Sequence, residues 1–178
     1  YDWIYNNTIG PDSCQNYVAE GNGTQCSPLH ICENCAPEQG CWPVTDGYPK
    51  FGISEFGAVL GVEEMKAEIY ARGPIACALD AGPLVNWGMN ASNKHSIFDS
   101  CSAKNPPAGK TCDQIDHGIS VVGFGYDEEQ NMDYWVVRNS WGAYWGDNGF
   151  WKMKMGDDQL GMESTNCQWA VPIIPKGL

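Results

Sequence analysis

Residues 116–149 read DHGISVVGFGYDEEQNMDYWVVRNSWGAYWGDNG, and the rest of the chain is organised around them. Residues 119–126 mix β-branched, aromatic and glycine positions, and residues 134–137 are again aromatic and β-branched, so both read as strands of a packed sheet. The polar run 127–133 between them is a loop, which makes the pair an antiparallel hairpin. The start of the first strand then lies beside the end of the second, bringing His117 and Asn139 to one end with opposed Cβ atoms roughly 5 Å apart. At that separation the Asn139 amide oxygen can accept the N–H of the His117 imidazole. Such a bond fixes the tautomer and leaves the other ring nitrogen facing a reactive group. Taken singly, a histidine before an apolar strand is usually structural, and an asparagine at a strand end is usually a turn residue. The residues that follow argue otherwise: Asn139-Ser140-Trp141-Gly142, then Trp145-Gly146 and Gly149, hold more indoles and glycines than a plain strand needs.

Outward from the hairpin, residues 62–72 put Val62, Met65 and Ile69 on one helical face, with Glu63 and Glu64 in the first turn and Gly73-Pro74 as the stop. Residues 75–79 supply the next strand, and 150–155 and 169–174 read as further strands. The connection 81–115, with Asn90, His95, Cys101, Pro106-Pro107 and Cys112, is longer than most loops of compact domains, so it predicts a surface insertion pinned by its own crosslink. Upstream, residues 45–58 are extended and turn-rich, and 14–43 are polar and cysteine-dense with no usable period, a segment held by crosslinks rather than by a core. Residues 1–8, with aromatics at 1, 3 and 5, fit the tail of a helix or a strand equally. Cys32-x-x-Cys35 invites a thioredoxin or zinc reading, but no βαβ pattern surrounds it and no histidine pair follows at finger spacing, so structural disulfides are expected and no metal.

Composition points to an extracytoplasmic protein. Nine cysteines in 178 residues suit a disulfide framework. The N-x-[ST] acceptors at Asn6, Asn22 and Asn90 agree with that as glycosylation candidates. With 22 acidic against 10 basic side chains, net −12, nothing is available to neutralise phosphates, so nucleic acid is not an expected partner. An acidic surface suits an acidic lumen. No apolar run approaches the ~18 residues of a membrane span. Tyr1 is not an initiator methionine and no signal peptide precedes it, so a processed or truncated product is expected.

The His117 and Asn139-Ser140-Trp141-Gly142 motifs, in that order and at hairpin spacing, resemble the C-terminal half of papain-family cysteine proteases. Within the family the chain is most similar to a lysosomal carboxypeptidase branch, through GPDSCQNY, the cluster Cys26, Cys32, Cys35 and Cys41, and EMKAEIYARGPIACAL. The resemblance implies an α+β papain-like cysteine protease fold. Residues 1–44 would be the disulfide-rich remainder of the left-hand domain, and 45–178 the right-hand, antiparallel barrel-like domain with the histidine and asparagine of the active site. It implies acyl transfer through a cysteine thioester, with His117 moving the proton, Asn139 holding its ring, and Trp141 and Gly142 shielding that bond and walling the cleft. Peptide or protein substrates, no cofactor, and a lysosomal or secreted location go with it.

The family's nucleophile sits in a C-G-[SA]-C-[WY] string, and none of the nine cysteines here is in one. The nucleophile, the oxyanion-hole glutamine and the short insertion that captures the substrate C-terminus are therefore expected in a segment upstream, and 1–178 alone is expected to be inactive. Ser140 reads as a turn residue, and His30 and His95 as solvated surface residues. By resemblance, Cys14 pairs with Cys32, Cys35 with Cys41, and Cys77 with Cys167. Cys101 and Cys112, without a counterpart in that branch, most simply close on each other. A bridge from Cys101 to the C-terminal cysteine is the alternative, and it would strand Cys77 and Cys112. Cys26 remains, and its family equivalent pairs with an upstream cysteine.

Overall fold

In the computed structural model, residues 1–14, 17 and 27–175 are described, and Cys26 and Asn22 lie outside them. The chain divides into two compact units. One comprises Tyr1–Phe56 with the chain from Ala170 on, and the other is Gly57–Trp169. The division falls inside strands, whereas the sequence reading draws its boundary at 44/45. Among the described residues no helix is long and apolar enough to cross a membrane.

The first unit has little regular structure. Helix α1 (Asp2–Asn6) answers the question left open for residues 1–8. A single turn, α2 (Pro28–Ile31), precedes the short strands β1 (Glu33–Ala36) and β2 (Gly40–Pro43). These two pair antiparallel with Cys35 opposite Cys41, and that facing pair is bridged by a disulfide. Cys32 is bonded back to Cys14, so the two cysteines of the Cys-x-x-Cys do not pair with each other. Four-residue strands cannot stand alone in water, and the crosslinks supply what a core does not. Strand β3 (Gly52–Val59) follows.

The second unit is built on the helix and hairpin read from the sequence. Helix α3 (Gly61–Arg72) starts where Glu64 Oε2 accepts the Leu60 N–H at 2.9 Å, and it stops at Gly73, whose φ of 97° admits glycine most readily. Strand β4 (Ile75–Leu79) alternates strictly, with Ile75, Cys77 and Leu79 buried. After α4 (Leu84–Met89) and β5 (Ile97–Phe98) come the long β6 (His117–Asp127), β7 (Met132–Arg138), β8 (Phe150–Lys154) and β9 (Cys167–Ile173). The sheet order is β3-β9-β4-β6-β7-β8-β5, and β6–β7 is the antiparallel hairpin, with a register shift between Val121 and Gly123. Met65 and Ile69 of α3 join Ile75, Leu79, Val121, Trp135, Val137 and Met153 in one core. The Cys77–Cys167 bond spans 90 residues, a crosslink that contributes about 4–5 kcal/mol in the chain-entropy account.

Residues 81–115 depart from the expected irregular surface insertion. They hold α4, a 3₁₀ turn at Ala91–Asn93 and β5, which runs parallel to β8, and they bury Leu84, Ile97, Phe98, Cys101 and Cys112. A Cys101–Cys112 bond does close within the segment. Among the ties that hold the segment down is Gln159, 1% exposed, whose Oε1 accepts the Cys101 N–H at 3.0 Å while its Nε2 donates to Asp99 and Asp157; the Leu160 N–H also donates to Cys101 O and the Ala103 N–H to Asp158 O. Hydrogen bonds of this kind leave no hydrophobic period for a sequence reading to find.

Candidate active site

His117 opens β6 opposite Leu79, the last residue of β4. The backbone just before it is held at several points. Asp116 donates its N–H to Leu79 O at 3.1 Å, and its Oδ1 accepts the Ala81 N–H at 3.0 Å. Asp80, buried at the end of β4, accepts from the Gly82 N–H at 3.1 Å and from the Gln114 N–H at 3.2 Å. Two neighbouring carboxylates thus lock the turn after β4 to the approach of β6, and the imidazole starts from a fixed backbone. Sequence reasoning missed both. Asp116 stands in the quoted motif, but accepting from a backbone N–H 35 residues away leaves no local signature.

Asn139 follows the last residue of β7, and its backbone N–H donates to Gly149 O at 2.8 Å, closing the loop 139–149 on itself. Its side chain reaches His117 with Oδ1 and Nε2 2.8 Å apart. Because an amide oxygen only accepts, that contact needs the proton on Nε2, which leaves Nδ1 as the nitrogen able to exchange one. Oδ1 also accepts the Ser140 N–H at 2.8 Å, which sets the amide orientation. Asn139 is 7% exposed, and its Nδ2 has no partner among the described residues. Holding this amide for the sake of its oxygen leaves a polar atom unsatisfied, a cost of about 1–3 kcal/mol that folding alone gives no reason to keep.

Trp141 lies against the imidazole, ring centroids 4.8 Å apart and planes 34° apart, and remains 37% exposed itself. Behind it Trp145 meets Trp141 edge-on at 5.3 Å, and Trp151 meets Trp145 edge-on at 5.2 Å. Gly142, at φ 90°, makes the turn that returns the chain from Trp141 to Trp145. A Cβ at Gly88 would fall inside the Trp145 indole, so α4 rests directly on this stack. Ser140 is exposed and contributes its backbone N–H.

The other sequence candidates lie elsewhere. His30 is exposed, 2.6 Å from Ser27 Oγ. His95 is exposed and faces Asp147 at 3.4 Å. Asn6 and Asn90 are both exposed, Asn6 donating to Asp2 O and Asn90 accepting the Ser92 N–H. Glu33, Cys35 and Cys41 gather within 4.8 Å, but both sulfurs are spent in one disulfide, so the trio offers a metal no thiolate.

The papain family cysteine protease model matches residues 1–170, and the chain belongs to that family. Cathepsin Z of Onchocerca volvulus is 33% identical over 97% of this chain and 53% of its own length. Cathepsin L1 of Drosophila melanogaster is 41% identical over 87% of this chain and 38% of its own. The chain therefore spans about half, or less, of the curated relatives it matches. Among solved structures, procathepsin L 3 of the Tenebrio molitor larval midgut superposes with a TM-score of 0.62 at 21% identity, covering 96% of this chain and 46% of that one. A structure on the mite allergens Blo t 1 and Der p 1 gives 0.63 at 18%. At those identities the likeness speaks for the fold.

Proposed function

We propose that this chain is the heavy portion of a cysteine carboxypeptidase resembling cathepsin X, also called cathepsin Z, and that it carries the proton-transfer half of the active site. The observation that carries this is the 2.8 Å contact of His117 with Asn139 beneath Trp141. The nucleophile belongs to a segment upstream of Tyr1. Its thiolate pairs with His117 as the imidazolium and attacks the peptide carbonyl. His117 then protonates the leaving amine from Nδ1, and water hydrolyses the thioester with His117 as the base. Asn139 holds the ring throughout, and Trp141 keeps water from their bond. Peptides are the substrates, and no cofactor enters these steps. Cys26 joins the chain to the upstream segment, and the acceptors Asn6, Asn22 and Asn90 suit a glycosylated lysosomal or secreted protein.

A second reading, a binding module that keeps the protease fold without catalysis, draws on the lack of a Cys-Gly-Ser/Ala-Cys string in these 178 residues. The orphaned Asn139 amide nitrogen weighs against it, since a scaffold has no use for that cost. The test is peptide turnover by the product of the full reading frame. Peptides with a free C-terminal carboxylate should lose residues from that end while their C-terminal amides are spared, and 1–178 should cleave neither. Cleavage of both by the full-length product would make it an endopeptidase, and cleavage of neither would favour the module.

A further inference from the structure

The disulfides differ in what can reach them. The cysteines of Cys14–Cys32, Cys77–Cys167 and Cys101–Cys112 are buried, none more than 6% exposed, whereas Cys35 and Cys41 are both exposed on the β1–β2 hairpin. Thiol–disulfide exchange needs a thiolate to approach a sulfur directly, so access decides which bridge opens first. Opening the hairpin bridge also costs the fold least. Its ends are 6 residues apart in sequence, against 18, 90 and 11 for the others, and in the chain-entropy account the shortest loop contributes least. The base of the hairpin is held independently, since the Val44 N–H donates to Cys32 O at 2.8 Å and Cys32 is bonded to Cys14. That tie keeps the two sulfurs within reach of each other once their bond is broken.

A third group faces the same place. Glu33 lies two residues before Cys35, on the same face of β1, and Cys41 stands directly opposite Cys35 on β2. The carboxylate and both sulfurs lie within 4.8 Å of one another. Among the described residues no hydrogen bond or ion pair engages the Glu33 carboxylate. We propose that Glu33, Cys35 and Cys41 form a zinc-class cation site that is closed as a disulfide and opens on reduction by a small dithiol. A thiolate of the reductant attacks one sulfur of the bridge, forming a mixed disulfide as the Cys35–Cys41 bond breaks and one cysteine leaves. The second thiol of the reductant then displaces the other cysteine, so two electrons pass to the protein and the dithiol departs as its own disulfide. The cation binds both thiolates and the carboxylate, displacing the thiol protons, with water as the fourth ligand of a tetrahedral zinc. Two sulfurs select zinc over calcium and magnesium, which take oxygen ligands. The metal thereby takes over the crosslink that strands as short as β1 and β2 need.

The test uses the product of the full reading frame, treated anaerobically with limiting dithiothreitol, alkylated, and mapped by mass spectrometry. Cys35 and Cys41 should be labelled about tenfold or more ahead of the buried paired cysteines. Protein reduced to that point and freed of reductant should take up one zinc per chain beyond what the unreduced protein holds, and zinc should protect Cys35 and Cys41 from alkylation. A protein carrying both Cys35→Ser and Cys41→Ser should lose that increment. Glu33→Gln, which leaves the disulfide in place, should weaken zinc binding about tenfold or more. Opening of another bridge first, no zinc gained on reduction, or an equal gain in the double variant would overturn the proposal, as would an affinity that Glu33→Gln leaves unchanged. None of these outcomes depends on the peptidase reading.

Discussion

An imidazole carries protons efficiently only while one nitrogen is tied and the other is free, and Asn139 Oδ1 makes that tie at 2.8 Å. In the proposed mechanism His117 transfers the proton and Asn139 orients it, so the two substitutions should part company in the full-length product. His117→Ala should cost kcat on the order of 10⁴-fold or more, as expected of the group that both activates the thiol and protonates the leaving amine. Asn139→Ala should cost on the order of 10- to 100-fold, the usual range for a partner that orients a functional histidine. Steady-state kinetics on one peptide would check this, and equal losses would give Asn139 a further role. The juxtaposition of these residues was legible because a two-strand reading and a polar loop force the ends of a hairpin together. The Asp80 and Asp116 clamp was not, because a carboxylate that accepts backbone N–H groups looks in sequence like any polar residue at a turn.

At the scale of elements, the strands β4, β6 and β7 and helix α3 were readable because each buries one face and repeats at its own period. The segment 156–164 has no period, and it is fastened by two buried carboxylates, Asp158, whose Oδ1 accepts the Ser164 N–H at 3.0 Å, and Glu163. Glu163, 6% exposed, accepts the Trp135 indole N–H at 2.8 Å, the Gly156 N–H at 2.7 Å and the Asp158 N–H at 3.0 Å. Glu163→Gln sets an amide donor against N–H groups that need acceptors, and it should destabilise by about 2–3 kcal/mol in denaturant unfolding. A gentler tie joins β8 to the approach of Cys101. Its hydrogen bond to Asp99, 3.1 Å away and aided by the charge of Asp157, holds the Lys154 ammonium above its ordinary value of 10.5 against the effect of its partial burial. A folded-state value raised in this way gives stability that is fully present below the unfolded lysine range and is lost as pH rises through the folded value. Lys154→Met should therefore lower Tm slightly at neutral pH, by the equivalent of about 1 kcal/mol or less for so exposed a pair. The gap from wild type should close above the ordinary lysine range. A gap that stays constant with pH would assign the effect to packing.

For the molecule as a whole, cysteine count and charge balance read as a crosslinked, acidic protein, and the disulfides bear out the crosslinking. Eight of its cysteines pair as Cys14–Cys32, Cys35–Cys41, Cys77–Cys167 and Cys101–Cys112, with Cys26 outside the described residues. The buried anchors of residues 81–115 escaped the sequence because length without a period looks the same whether a segment floats or is pinned by a distant residue such as Gln159. The central claim of the proposed function concerns partition: these 178 residues bring the histidine and its partner, and we propose that the thiol comes from elsewhere in the polypeptide. A thiol-directed epoxide probe applied to the product of the full reading frame, followed by mass-spectrometric location of the label, tests that most directly. The predicted result is a single labelled cysteine outside 1–178, with labelling strongly slowed by His117→Ala. Label on any of the nine cysteines present here, with turnover still dependent on His117, would contradict it.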